Sequence, residues 1–175
     1  PGSIYIGHRR MSATVLQQIE QLLSEQGIAY DILHHEPVTT SAEAAAVRGV
    51  PLASGAKALI CKCDTAMVMF VLPADRRLAS KQIRREANYR KLRFATPEEV
   101  LDLTQLKPGS IPPFGSLFEL PTFCDGALSE NDRINFNAGD HSVSISMLYV
   151  DYLKVEHPEI VACGEPSLEN ERRGH

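Results

Sequence analysis

Hydrophobic positions near the start of the chain follow the spacing of an amphipathic helix. Ser12 precedes this run and Gly27 follows it, and these residue types favour a helix start and a helix stop. Apolar side chains recur three and four positions apart between them, at Val15, Leu16, Ile19, Leu22 and Leu23. The spacing predicts a first helix of about fourteen residues.

Strand and helix patterns alternate in the next segment. Residues 28–34 predict a strand, because they are rich in β-forming side chains and end before a Glu-Pro pair, where helix is disfavoured. Thr40 or Ser41 then caps an alanine-rich helix that ends near Gly49.

A hairpin and several short elements complete the pattern. Residues 56–63 and 66–72 are β-rich runs joined at residues 64–65, and they predict a tight hairpin at the centre of a sheet. Thr96 and Pro97 form a strong helix start. Further predictions are strands at 91–95, 117–120, 134–137 and 143–147, a short helix capped by Ser80, and a last turn or helix at 150–153. The mixture indicates an α+β fold with a curved, mostly antiparallel mixed sheet and helices on its faces.

Length and composition indicate one domain. The 175 residues are 43% hydrophobic, which suffices for a single core. No apolar run has the ~18 residues of a membrane span, and no signal-peptide pattern begins the chain, so we expect a cytoplasmic protein with no membrane partner. Pro1-Gly2-Ser3 is similar to a remnant of tag cleavage. We expect an N-terminal extension at 1–11, a domain at 12–163, and a polar tail or linker at 164–175.

The four cysteines do not form a disulfide-scaffold pattern. Reduced thiols are the expectation for Cys61, Cys63, Cys124 and Cys163, since a core of this size needs no stapling. Cys61 and Cys63 point to one face of a strand, as two metal ligands could, but ordinary half-buried strand cysteines explain them too. A thiol-dependent redox protein is a further hypothesis, although no redox motif is present. We expect no metal.

A basic stripe between Arg76 and Arg93, with eight cations and one acid, interrupts an otherwise acidic chain of net charge −4. Lys81, Arg84 and Arg85 fall on one face of a short helix, whereas Ile83 and Ala87 face inward. Such a stripe can hold a phosphate backbone without reading bases. It can equally be a solvated helix face.

One lysine and one distant loop carry the candidate chemistry. Lys57 enters an apolar strand in the run Gly55-Ala56-Lys57-Ala58-Leu59-Ile60, and an unpaired lysine there is either a snorkelling edge residue or part of a site. Glycines and prolines shape the loop Gly109-Ser110-Ile111-Pro112-Pro113-Phe114-Gly115. A cation facing such a loop suits a polar substrate that carries a phosphate, although the loop could simply connect two strands.

These segments, in this order, resemble the YbaK-type aminoacyl-tRNA deacylases and the related editing domain of bacterial prolyl-tRNA synthetases. The resemblance covers roughly residues 12–163 and includes the helix at residues 40–46 and the run Phe136-Asn137-Ala138-Gly139-Asp140-His141. It implies a YbaK-like fold. It also implies that Lys57 contacts the terminal nucleotide of tRNA, and that the Gly109–Pro113 segment lines the aminoacyl pocket.

The resemblance suggests roles for the remaining candidates. Catalysis is assigned to Lys57, Gly109, Pro113, Asp140 and His141. Substrate binding is assigned to Tyr30, His35, Thr40, Ser110, Ile111, Pro112, Phe114, Gly115 and Gly139, and tRNA binding to Lys81, Arg84 and Arg85. Asp140 and His141 could equally be turn residues, His35 an exposed strand-end histidine, and Thr40 a helix cap.

The implied activity is a cofactor-independent aminoacyl-tRNA deacylase that proofreads mischarged tRNA. We expect direct hydrolysis by a positioned water, since no Ser/His/Asp or Cys/His set is evident. The substrate expected first is Ala-tRNA(Pro), with Cys- and Ser-tRNA also open. The partners are tRNA and, in cis or in trans, prolyl-tRNA synthetase. The alternative is a non-catalytic tRNA-binding or interaction module appended to a synthetase.

Overall fold

A computed structural model describes residues 3–6 and 9–167, with side chains from Ala13 onward. The strands are β1 (Ser3–Ile6), β2 (Arg9–Ser12), β3 (Tyr30–His34), β4 (Ala56–Cys63), β5 (Ala66–Pro73), β6 (Arg76–Leu78), β7 (Leu92–Phe94), β8 (Thr122–Asp125), β9 (Arg133–Asn137), β10 (Val143–Leu148), β11 (Glu159–Val161) and β12 (Gly164–Pro166). The α-helices are α1 (Val15–Glu25), α2 (Ser41–Arg48), α3 (Ser80–Glu86), α4 (Pro97–Thr104) and α5 (Tyr149–Glu156).

The predicted hairpin lies inside a five-stranded sheet of order β11-β8-β5-β4-β7. β4 pairs antiparallel with β5 and β7, whereas β8 runs parallel to both β5 and β11. A three-stranded antiparallel sheet, β3-β10-β9, meets the larger sheet at a bridge between Gly55 and Asn135. The α+β class, the mostly antiparallel mixed sheet and the central hairpin are confirmed.

Helix α1 begins at Val15, and Thr14 is its cap. The Thr14 hydroxyl accepts a hydrogen bond from the backbone N–H of Gln17 at 3.2 Å, and the Gln17 side chain accepts one from the backbone N–H of Thr14 at 2.9 Å. The helix has 11 residues, fewer than predicted, because Ser12 belongs to β2. Ile19 and Leu23 are fully buried. The predicted apolar face is therefore the face that packs on the core.

Two apolar cores occupy opposite faces of the five-stranded sheet. The larger core gathers alternate residues of β5, β9 and β10 with Phe114 and Tyr152. The smaller core contains Cys61, Phe70 and Ile83. Burial of the Ile83 side chain, worth about 1.5–3 kcal/mol, anchors the basic helix α3 to the sheet. No helix within the described residues is long and apolar enough to cross a membrane.

Two local predictions after residue 79 are wrong. Residues 117–120 do not form a strand, because Gly115–Phe118 is a 3-10 helix whose next residue adopts φ +58°. The strand there is β8, which follows Pro121. Ser80 is the first residue of α3 rather than its cap, and the capping position, Ala79, makes no side-chain cap bond.

The polar C-terminal segment contains an element that composition did not predict. Gly164–Pro166 forms β12, which pairs antiparallel with β6. The side chain of Asp125 accepts hydrogen bonds from the backbone N–H groups of Cys163 and Gly164 and so holds the strand in place. The predicted tail therefore begins with a paired strand, and residues 168–175 lie outside the described part of the chain.

Candidate active site

A cavity of about 210 Å³ brings together the elements that carry the candidate chemistry. One face of α2, the start of β4, the loop around Gly109 and the end of β9 form its walls. Among the predicted site residues, those that line it are Thr40, Lys57, Gly109, Ile111 and His141. Lys57 and Gly109, which are 52 positions apart in sequence, therefore line the same cavity.

Lys57 lies half-buried at the start of β4. Lys57 pairs with Leu72 near the end of β5, and Asp75 follows that strand two residues later. Burial lowers the pKa of the Lys57 ammonium, and the nearby charge of Asp75 partly opposes that shift. The cation is thus held in the cavity wall and partly removed from water, where its interactions are stronger than on the surface.

The backbone of the loop approaches the cavity at Gly109. This residue has φ +87°, and a Cβ added to it would lie 3.3 Å from Cε1 of His141. Its carbonyl accepts a hydrogen bond from Nδ2 of Asn137 at 2.7 Å. The next residue, Ser110, is buried: its hydroxyl donates to the carbonyl of Lys107 at 2.8 Å. Glycine is favoured at position 109, because a side chain there would strain the backbone and crowd the His141 ring.

The second half of the loop packs into the core and does not line the cavity. Phe114 is fully buried and meets Phe136 and Tyr152 edge-on, with ring centroids 5.5 Å apart in both pairs. The Tyr152 hydroxyl donates to the carbonyl of Pro113 at 2.7 Å. A Cβ on Gly115 would collide with Oγ1 of Thr122. Pro112, Pro113, Phe114 and Gly115 therefore support the cavity wall from behind.

The turn that follows β9 contains one cavity residue and two structural ones. His141 lines the cavity. The carboxylate of Asp140 instead accepts hydrogen bonds from the backbone N–H and hydroxyl of Ser142, at 2.8 and 2.6 Å, which lower its pKa. Gly139 has φ +85° and its N–H donates to the Ser110 carbonyl at 2.9 Å. For Asp140 the structure favours the turn role that the sequence left open.

Three other candidates differ in their position. Thr40 caps α2, its hydroxyl accepting from the Glu43 N–H at 3.1 Å, and it also lines the cavity. His35 makes ring-nitrogen contacts of 2.8 Å to the Ser144 hydroxyl and the Glu36 carbonyl, and does not line the cavity. Tyr30 pairs with Met147 at the end of the smaller sheet and packs against the larger core.

Arg48 and two asparagines, which sequence reasoning did not select, also line the cavity. Burial lowers the pKa of the Arg48 guanidinium to about 10. Asn135 is buried, and its Nδ2 donates to the Ser54 hydroxyl at 3.0 Å, whereas Asn137 bonds Gly109. Asn135 and Asn137 are two positions apart in β9, so their side chains lie on one face of the strand. That spacing was the sequence pattern that could have identified them as site residues.

The basic helix α3 lies outside this cavity. Lys81, Arg84 and Arg85 are all exposed, and Ile83 is buried, as predicted. Elsewhere in the basic stripe, Arg93 forms a salt bridge with Glu99 at 2.7 Å. The three helical cations remain available to a phosphate backbone, and their predicted role in tRNA binding stays a prediction.

All four cysteines are fully buried, including Cys61 and Cys63, for which we expected half-buried positions. Three lie on β4 or β8, whereas Cys163 lies between β11 and β12 and packs into the smaller core. Burial raises the pKa of Cys61 to about 12, of Cys63 to about 11 and of Cys124 to about 12, and also raises that of Cys163. The reactive thiolate is therefore disfavoured at each position. Within the described residues, no group of three or more candidate ligand side chains could hold a metal ion.

Comparison with known proteins identifies the family to which this architecture belongs. The model of the aminoacyl-tRNA editing domain matches residues 35–155, a range that contains the cavity residues named above. The chain belongs to the aminoacyl-tRNA editing domain family. It is a hydrolase that acts on aminoacyl-tRNA esters, and tRNA is its substrate.

A curated relative agrees with this assignment, and solved structures share the fold. The editing domain is 34% identical over 150 residues to the multifunctional Ser/Thr-tRNA deacylase ProXp-y of Escherichia coli K12, covering 83% of this chain and 90% of the relative. The fold matches that of a proposed trans-editing enzyme for prolyl-tRNA synthetase, with a TM-score of 0.77, 22% identity, and coverage of 89% and 99%. A hypothetical protein matches with a TM-score of 0.78, 23% identity, and coverage of 85% and 99%.

Proposed function

We propose that this editing domain hydrolyses tRNA esters of small hydroxylated amino acids, with Ser-tRNA and Thr-tRNA as the first substrates. The observation that carries the proposal is the composition of the cavity. Its volume, about 210 Å³, is smaller than the roughly 300 Å³ at which pockets for drug-sized ligands begin. Its wall combines Lys57 with the hydroxyl-bearing residues Thr39, Thr40 and Ser41. This suits a short polar side chain.

The choice of serine and threonine over alanine rests on hydrogen bonding. A purely apolar pocket distinguishes amino acids that differ by one small group only weakly, whereas a site that hydrogen-bonds a hydroxyl rejects the analogue without it by up to about 10⁴–10⁵-fold. The curated relative acts, by its name, on Ser- and Thr-tRNA, which supports the same choice. Ala-tRNA(Pro), favoured by sequence resemblance, and Cys-tRNA become the second candidates.

The reaction we propose needs only water and the ester. A water oxygen adds to the carbonyl carbon, the bond from that carbon to the ribose oxygen breaks, and the ribose oxygen receives a proton. The products are the free amino acid and tRNA with a free terminal hydroxyl. Lys57 contacts the terminal nucleotide and adds electrostatic stabilisation of the developing negative charge, while the Gly109 backbone and His141 help to hold the ester and the water.

The body of the tRNA is expected to contact the protein outside the cavity. Lys81, Arg84 and Arg85 present their charges together, and such a cluster binds phosphates with little base preference. Selection of the tRNA then depends on other contacts, and association with prolyl-tRNA synthetase in cis or in trans remains our expectation. A tRNA substrate supports our expectation of a cytoplasmic protein.

A panel of charged tRNAs tests the substrate assignment. The purified protein is incubated with tRNAs carrying serine, threonine, alanine, cysteine or proline, and loss of the ester is followed over time. We expect Ser- and Thr-tRNA to be cleaved fastest. Faster cleavage of Ala-tRNA(Pro) would overturn the proposed specificity, and binding of tRNA without cleavage of any ester would favour the non-catalytic alternative.

A further inference from the structure

A chain of hydrogen bonds runs from helix α2 to the backbone of the loop. Arg48 is the last residue of α2, and its Nη2 donates to Oδ1 of Asn137 at 3.0 Å. The amide of Asn137 then donates through Nδ2 to the Gly109 carbonyl at 2.7 Å. One end of the chain is therefore a helix side chain, and the other is the peptide that lines the cavity.

The second donor of Arg48 fixes the direction of its side chain. Nε donates to the Ser144 hydroxyl at 2.8 Å. Ser144 of β10 and Asn137 of β9 are direct partners in the strand register, so the two acceptors lie side by side. A guanidinium can reach both acceptors from one rigid plane, whereas the ammonium of a lysine is a single point donor on a flexible stem.

The bonded Asn137 amide has a single compatible orientation. Its carbonyl oxygen accepts from Arg48, so its NH₂ group must point to Gly109. Gly109 adopts φ +87°, and because glycine populates several backbone regions readily, hydrogen bonds to its peptide help to select this one. Because the first bond is charge-assisted, it is stronger than an ordinary amide hydrogen bond. Arg48 thus constrains the loop peptide without touching it.

We propose that Arg48 is a positioning residue that acts through Asn137 to hold the Gly109 peptide in the geometry that ester hydrolysis requires. The inference rests on the proposed function, because it assigns this peptide to the cavity where the ester reacts. Lys57 and helix α3 would still bind tRNA when Arg48 is changed. Loss of the hydrogen bonds that link Arg48, Asn137 and Gly109 should therefore reduce turnover much more than substrate affinity.

Activity measurements on three variants test the coupling. We expect Arg48→Lys and Asn137→Ala each to lower kcat by about 10–100-fold, since small misplacements are costly, with KM changed by less than about threefold. Both substitutions break the same series of hydrogen bonds. The kcat of the double variant should therefore be no lower than that of the slower single variant. Arg133→Lys is the matched control. Arg133 of β9 donates through Nε to the hydroxyl of Ser146, on the strand that also carries Ser144, at 3.1 Å and outside the cavity.

Hydrogen–deuterium exchange separates this inference from the proposed function. The backbone amides of Lys107, Gly109, Ser110 and Ile111 should exchange faster in Arg48→Lys and Asn137→Ala than in the wild type. Exchange at these amides should be unchanged in Arg133→Lys, and all variants are compared at matched melting temperatures. The inference would be overturned if the fold-losses in kcat of the two single variants multiplied in the double variant. It would also be overturned if amide exchange were unchanged in both single variants. If the wild type cleaves no ester but the exchange pattern is as expected, the structural link from Arg48 to Gly109 is supported and the proposed function is wrong.

Discussion

Replacing Gly109 with alanine tests whether the cavity depends on a glycine backbone. At φ +87° an L side chain is strained by about 1–2 kcal/mol. Alanine also restricts the unfolded chain, which offsets about 0.4–1 kcal/mol of that cost. The net loss in the free energy of unfolding should be about 1 kcal/mol. In a chain of this size it lowers Tm by about 2–4 °C.

Activity should fall by more than this loss of stability explains. The new Cβ would lie 3.3 Å from Cε1 of His141, so the cavity wall must move by a few tenths of an ångström. We expect hydrolysis of Ser-tRNA to slow by about tenfold or more. Gly27→Ala is the matched control, because Gly27 has φ +67° and open space around its Cβ position.

Thermal unfolding and single-turnover hydrolysis, measured on both variants, decide the matter. Gly27→Ala should show a similar Tm loss with wild-type hydrolysis. Wild-type hydrolysis by Gly109→Ala would refute the reasoning, since it would mean that the geometry of this loop does not matter to the reaction.

Three further predictions concern the supports of the site. Tyr152→Phe removes the donor to the buried Pro113 carbonyl and should cost about 1–3 kcal/mol in urea unfolding; an unchanged midpoint would contradict the assigned bond. The Arg93 hydrogen bond lowers the pKa of Glu99 to about 2, so its contribution to stability is present above the unfolded pKa near 4.5 and is lost as the pH falls towards 2. Between pH 4.5 and pH 2, the free energy of unfolding measured in urea should therefore fall less steeply for Glu99→Gln than for the wild type. Equal pH dependence in the two proteins would count against the Arg93–Glu99 pair. Arg84→Ala should reduce the slope of log tRNA affinity against log salt by about one, and an unaltered slope would remove it from the interface.

Local rules gave much of the fold. Three predictions that depend on neighbouring residues are confirmed: the helical spacing of Ile19 and Leu23, the capping sequence at Thr96 and the β-rich hairpin. Three apolar residues at 117–120 favoured a strand in the prediction. The segment instead contains the end of a 3-10 helix, followed by Glu119 with a positive φ, and hydrophobicity alone does not reveal that turn.

The site was predicted in part, for a physical reason. Lys57 and Gly109 stand out in sequence because a lone cation and a shaped loop are locally unusual. Arg48 does not, since a basic residue in the last turn of a helix is already explained by the helix dipole. Its role depends on Asn137 and Ser144, which are about 90 residues away and meet it only through strand pairing.

The most direct test of the account compares Lys57→Ala with Lys62→Ala in single-turnover hydrolysis of Ser-tRNA. Both lysines are half-buried on β4, but only Lys57 lines the cavity. Removing its charge from a partly desolvated site should slow the reaction by about 10²–10³-fold, as loss of one preorganised electrostatic contact does. Lys62→Ala should retain wild-type hydrolysis. Equal rates for the two variants would contradict the assignment of the cavity as the site of ester hydrolysis.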